Sequence, residues 1–290
     1  MPETPESLVA QLKTLLDVEE IDRDLYRGPR LPHGEGRVFG GQAISQALVA
    51  ASRSIDDGRP AHSLHAYFLR PGDDALPIVY RVVRDHDGRS FASRRVIAMQ
   101  RGVPILNLAA SFQRPEQGLA HQAAMPDVPG PEDLLSDADH FRAHGQGIPL
   151  ERSRWLLRDR PIQMRPVTPR FPVQTRPRAP AQQLWFRAAA PLGDDPQVHR
   201  AVLAYASDMA LLGTGMFPHG VDWLTHDLQS ASLDHALWFH EDFRADEWLL
   251  YAMDSPWAGH GRGFNRGQIF TRDGRLVASA SQEGLIRLRE

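Results

Sequence analysis

The chain contains one pattern twice, and this repeat constrains its fold more than any other feature. His65-Ala66-Tyr67-Phe68 matches His235-Ala236-Leu237-Trp238-Phe239 at an offset of 170 residues, and Leu108-Ala109-Ala110-Ser111-Phe112-Gln113 matches Val277-Ala278-Ser279-Ala280-Ser281-Gln282 at 169. Arg89-Ser90-Phe91 lies between these matches in the first half, and Arg262-Gly263-Phe264 lies between them in the second. Three matches in one order are better explained by duplication than by chance.

Each copy reads as a helix followed by an antiparallel meander. In the first half, Leu8, Leu12, Leu15 and Leu16 predict a short amphipathic helix over 5–16. Gly40-Gly41 then opens a helix from Gly41 to Ser54 whose Ala43, Ile44, Ala47, Leu48, Ala50 and Ala51 suit burial nearly all round. Strands are expected at Ser63–Leu69, Ile78–Val83, Phe91–Gln100 and Ile105–Phe112. The second half repeats the order. A strand at Gln183–Ala190 precedes a helix starting near Pro196, with an apolar stripe of Val198, Val202, Leu203, Ala206, Met209 and Ala210. Strands follow at Ser232–Phe239, Glu247–Met253, Gly263–Thr271 and Leu276–Ile286.

Of 23 prolines, 11 fall between Pro115 and Pro180, six of them from Pro161 onward. Proline lacks a backbone donor and resists helix interiors and central strands, so this stretch reads as a connector with limited regular structure. The expected division is 1–114, a connector at 115–182, and 183–290.

A long apolar helix embraced by an antiparallel sheet, occurring twice, is the plan of the double hot-dog fold, an α+β architecture. Several segments make the likeness specific. They are Val38-Phe39-Gly40-Gly41-Gln42, His62-Ser63-Leu64-His65-Ala66-Tyr67-Phe68-Leu69-Arg70-Pro71-Gly72, Tyr205-Ala206-Ser207-Asp208, Leu233-Asp234-His235-Ala236-Leu237-Trp238-Phe239-His240, Glu247-Trp248-Leu249-Leu250-Tyr251, and Val277-Ala278-Ser279-Ala280-Ser281-Gln282-Glu283-Gly284. Together they resemble the acyl-CoA thioesterase II family in order and spacing from about residue 10 to 287. The resemblance implies hydrolysis of acyl-CoA to free fatty acid and CoA, with catalytic positions at Asp208, Ser232 and Gln282. It also implies a homodimer or homotetramer, and no cofactor.

The residue types suit that chemistry. A thioester carbonyl is already electrophilic, so catalysis needs a positioned water and a base to deprotonate it. Asp208 can accept the proton, while the Ser232 hydroxyl and Gln282 amide can orient the water. Asp208 also stands out without the family, because it interrupts an apolar helix face where an unpaired carboxylate is costly. At the 170 offset Ser232 corresponds to His62, at the 169 offset Gln282 corresponds to Gln113, and no carboxylate on the first helix matches Asp208. One active site per chain is therefore expected, in the second half. Substrate-binding candidates are Gly40 and Gly41, whose N–H groups could face a carbonyl oxygen or a phosphate, and His62.

Other classes are disfavoured. The 33 basic and 36 acidic residues are spread along the chain at a net charge of −3, so no basic face for nucleic acid is expected. There is no cysteine, which removes disulfides, thiolate ligands and a thiolate nucleophile. The histidine spacings lack an HExxH or acidic partner, which argues against a metal site. A Ser232-His235-Asp234 triad fails because strand alternation would put His235 on the opposite face from the other two, and no G-x-S-x-G elbow occurs. No apolar run approaches a membrane span, and Met1–Glu6 lacks a signal-peptide pattern, so a cytoplasmic location is expected. Two alternatives to hydrolysis are an enoyl-thioester hydratase or dehydratase, disfavoured because no His neighbours Asp208 in sequence, and a non-catalytic acyl-CoA binder.

Overall fold

The computed structural model describes residues 3–30, 36–153, 156–169 and 176–289. Met1 and Pro2 of the N-terminal segment and Pro172 of the proline-rich stretch lie outside the described residues. The first half runs α1 (Pro5–Leu16), β1 (Glu19–Asp22), β2 (Leu25–Gly28), α2 (Gly40–Arg53), β3 (Ala61–Phe68), β4 (Ile78–Asp87), β5 (Phe91–Gln100) and β6 (Val103–Gln113). There follow α3 (Asp137–His144), α4 (Leu150–Ser153), β7 (Ile162–Pro166), β8 (Ala181–Ala188), α5 (Pro196–Ser207), β9 (Leu228–Ser232), β10 (Asp234–Phe239), β11 (Leu249–Gly259), β12 (Arg262–Thr271) and β13 (Leu276–Leu288).

The strands form one antiparallel sheet in the order β1-β2-β4-β5-β6-β3-β10-β13-β12-β11-β8-β7, with β9 paired to the far end of β13. The order is a mirror about the β3/β10 pair, where Leu64 lies opposite Leu237. This pseudo-twofold arrangement is the double hot-dog α+β fold anticipated from the repeat.

The two central helices lie inside the sheet's curve and pack against each other. Buried residues of α2 run almost continuously from Gly41 to Ala51, which small side chains permit. Asp195 caps α5, accepting from the Gln197 N–H, and Pro196 occupies its first turn. The Ser45 hydroxyl on α2 donates to the Ala201 carbonyl on α5 at 2.8 Å.

Three features depart from the sequence reading. The strand pair β1–β2 was not anticipated, because Glu19–Asp22 is exposed throughout and carries no alternating pattern. The proline-rich stretch holds α3, α4 and β7, and β7 ends on Pro166 at the sheet edge, where a missing donor costs least. The expected strand Ser232–Phe239 is broken at Leu233. Pairing with β13 passes from Ser232 opposite Gly284 to Ala236 opposite Ser281, a one-residue change of register.

Candidate active site

Asp208 is the C-cap of α5, one residue past its last turn, so it ends the helix instead of interrupting the stripe, and Met209 and Ala210 lie beyond. A carboxylate at a helix C-terminus meets the negative end of the helix dipole. The compensation comes from α2, whose N-terminus approaches the same point. A Cβ on Gly40 would lie 2.6 Å from Asp208 Oδ2, and one on Gly41 would lie 2.5 Å from the Tyr205 carbonyl oxygen. The Gly41 N–H stabilises the Asp208 carboxylate. The glycine pair therefore serves both close packing and N–H donation, with the Gly41 donor directed to Asp208.

The break at Leu233 builds the other side of the cluster. Because the register shifts there, Ser232 and His235 both reach the Gln282 amide: Gln282 Nε2 donates to Asp208 Oδ1 at 2.6 Å and to Ser232 Oγ at 3.1 Å, and lies 3.2 Å from His235 Nδ1. Ser232 Oγ donates to Asp208 Oδ1 at 3.4 Å. Asp234 turns away and accepts the Glu283 backbone N–H at 2.6 Å. His235 therefore reaches the same cluster as Ser232, where unbroken strand alternation would have put it on the opposite face. No His neighbours Asp208 in sequence, but the fold brings His235 Nδ1 to 4.0 Å from Asp208 Oδ1. The signal available in sequence was Gly284, a glycine inside a strand, where a Cβ would meet Leu212 Cδ1 at 2.1 Å.

Burial sets the protonation states. The Asp208 side chain is 4% exposed, and burial pushes its carboxyl up to about 6 against the opposing bonds from Gln282, Gly41 and Ser232. Burial pushes His235 down to about 4, so its ring is neutral at physiological pH. The Tyr251 hydroxyl donates to the Ser207 carbonyl at 3.1 Å, and burial first, then Asp208, holds it above its ordinary range.

A cleft of about 320 Å³ opens beside the cluster, with Gly40 and Ser232 in its wall, Val38, Phe68 and Leu106 as apolar lining, and Arg37 and Arg70 among its cationic residues. His62 is not part of this site. It sits at the other end of β3 from Phe68, about 20 Å away at strand rise, bonded to Ser111 Oγ at 2.8 Å. In the mirror position of the first half, the helix C-cap is Ser54. The buried Arg94 fills that place, bonding Ser54 Oγ at 2.8 Å and Asp87 at 2.6 Å.

A mirrored sheet around two central helices, with a carboxylate, amide and hydroxyl cluster beside an apolar cleft, defines a double hot-dog protein with a candidate reactive centre in its second half. The sequence profile of the family described as acyl-CoA thioesterase matches residues 157–285, and that of the acyl-CoA thioesterase N-terminal domain matches 29–113. The chain belongs to the acyl-CoA thioesterase family, a class of thioester hydrolases. Acyl-coenzyme A thioesterase 8 of Homo sapiens is 41% identical over 284 residues, covering 95% of this chain and 88% of the relative. Acyl-CoA thioesterase 2 of Haemophilus influenzae is 38% identical over 276 residues, covering 95% and 96%. The crystal structure of acyl-CoA thioesterase II TesB2 from Mycobacterium marinum superposes with a TM-score of 0.77 at 42% identity, covering 96% of this chain and 99% of that one.

Proposed function

We propose that the chain hydrolyses fatty acyl-CoA to free fatty acid and CoA by direct attack of water. Asp208 takes a proton as the water oxygen bonds to the thioester carbonyl carbon, and Ser232 and Gln282 orient the water. Collapse of the tetrahedral intermediate breaks the C–S bond, and the proton on Asp208 passes to the departing sulfur, which restores the carboxylate. The Gly40 N–H, in the first turn of α2, is the donor for the developing oxyanion. Residues 183–290 supply the reacting side chains, 1–114 supply the Gly40-Gly41 turn and part of the cleft, and 115–182 join them. His62 takes no part in this chemistry. On the family resemblance we expect a homodimer or homotetramer in the cytoplasm; no helix among the described residues is long and apolar enough to cross a membrane.

The observation that carries this reading is a buried carboxylate held at about 6, bonded to an amide and a hydroxyl beside an apolar cleft. A panel of acyl-CoA esters from short to long chain, followed by thiol detection, tests it. The protein contributes no thiol of its own, so any signal is released CoA. Ser232→Ala and Gln282→Ala are expected to lower kcat by about 10- to 100-fold, the cost of one or two hydrogen bonds in the transition state. Absence of thiol release across the whole panel would refute hydrolysis and leave a binding role.

The base must be ionised to act, so kcat/KM is expected to fall as pH drops through about 6 and to level off above it. A limb at the ordinary carboxylate value of about 4 would remove Asp208 from the role. The Asp208–His235 approach supplies the pair that a hydratase would need, yet both ring nitrogens are engaged by Ser207 and Gln282 and the ring is fully buried. A hydration assay on an enoyl thioester, run beside the thiol assay, is expected to show no conversion.

A further inference from the structure

His235 is fully buried, yet its ring sits at the middle of the cluster. The hydrogen-bond chain fixes its tautomer. Ser207 Oγ donates its single proton to the Ala204 carbonyl at 2.9 Å, so towards His235 Nε2, at 2.9 Å, it can only accept. Nε2 therefore carries the ring proton, and Nδ1 presents a lone pair to Gln282 Nε2 at 3.2 Å.

The lone pair has a consequence for Gln282. An amide flipped end for end would set its oxygen against the imidazole lone pair and the Asp208 carboxylate at once. The nitrogen must face both, with one hydrogen directed to Asp208 and the other shared between His235 Nδ1 and Ser232 Oγ. Gln282 Oε1, buried and without a protein partner among the described residues, then remains as an acceptor for water.

We infer that His235 is a positioning residue: its Nε2-protonated ring, anchored by Ser207, holds the Gln282 amide nitrogen against the Asp208 carboxylate. The inference rests on the reading of Asp208 as base. It assigns no proton transfer to His235, whose low basicity from burial keeps it neutral as Asp208 titrates. Among the described residues, the Asp208 carboxylate acts electrostatically on Tyr205 of α5 and Tyr251 of β11. Both phenols are held above their ordinary range by burial and are uncharged. The chain Ser207–His235–Gln282 thus links the last turn of α5 to β10 and β13 through neutral groups.

The test compares His235→Phe, which keeps a ring but removes both nitrogens, with His235→Asn, whose side-chain oxygen can replace Nδ1 as acceptor. In His235→Phe, kcat is expected to fall roughly 10- to 100-fold with KM changed far less. Gln282 would no longer be held on the carboxylate, so the acid limb of kcat/KM should move up by about half a pH unit or more. His235→Asn is expected to recover most of the loss although it leaves the larger void. If the ring merely fills space, His235→Asn will be the worse variant and neither will shift the limb, which would overturn the inference. Wild-type protein labelled with ¹⁵N-histidine provides a readout that needs no variant. The resonance of this ring should report protonated Nε2 and bare Nδ1 throughout about pH 5 to 8; a protonated Nδ1 or a titrating ring refutes the assignment. Asp208→Asn is assayed in parallel. Full activity there would dismiss the base, and the positioning role with it, whereas an inactive Asp208→Asn beside an unaltered His235→Phe would dismiss only the positioning role.

Discussion

Asp208→Asn is expected to give a folded protein that hydrolyses acyl-CoA at least about 10³-fold more slowly, near the upper range for losing a general base, and that melts above wild type at pH 8. Activity and stability move in opposite directions for one reason. The folded-state carboxyl sits at about 6 against an ordinary 3.8, so the folded chain binds this proton more tightly than the unfolded chain. The stability contributed by the protonated form is complete below the unfolded value and is lost as pH rises through about 6. At pH 8 the ionised wild type carries a penalty on the order of 3 kcal/mol that the neutral amide lacks. Thiol release measures the first effect, and melting curves at several pH values measure the second. The gap in melting temperature should close below about pH 4, where wild type is also neutral. An Asn variant with wild-type turnover, or one less stable at pH 8, would contradict the account.

Gly41→Ala is expected to cost about 2–3 kcal/mol of stability and roughly 100-fold in kcat, the scale of a 1 Å misplacement of a catalytic group. The added Cβ would lie 2.5 Å from the Tyr205 carbonyl oxygen and 2.6 Å from the Phe39 ring. The carbonyl is helix backbone and can move only with α5, which ends on Asp208 three residues later. At Gly40 the atoms met first are the Asp208 carboxylate at 2.6 Å and the Phe68 ring at 2.9 Å, which can rotate. Gly40→Ala should therefore lower turnover with a smaller loss of stability. Gly118 has nothing within 4 Å, and Gly118→Ala serves as the neutral control. Denaturant titration and thiol assay on the three variants separate helix spacing from carboxylate placement, and a Gly41→Ala protein as stable as the Gly118→Ala control would refute tight helix contact.

The architecture was legible because duplication leaves its mark on order: His65 and His235, or Gln113 and Gln282, recur at nearly one offset in strands with clear alternation. Edge elements were not. Glu19–Asp22 is held as a strand by its hairpin partner Leu25–Gly28, and Ile162–Pro166 by Ala181–Ala188 beyond the proline-rich stretch, and their own residues carry little pattern. At the site, Asp208 was visible as a charge beside an apolar stripe, while its place at the helix end was hidden because Met209 and Ala210 continue the periodicity. The role of His235 was illegible for a different reason. Which face a strand residue takes is settled by its register with the partner strand, and the slip at Leu233 arises between β9, β10 and β13 together. Gly284 marked the spot without saying which way the side chains would turn.

The buried Arg94 has a consequence for the history open to this chain. A carboxylate introduced at Ser54, the mirror of Asp208, would arrive beside a guanidinium that already bonds Ser54 Oγ at 2.8 Å. It would be held ionised far below neutrality and make a poor base. Removing Arg94 first would strand the carbonyls of Ser54, His86 and Ser93 that it now satisfies. Neither single substitution installs a working base there, so a second reactive centre in this half would need both changes together. One buried side chain thus couples the two positions that would have to change together.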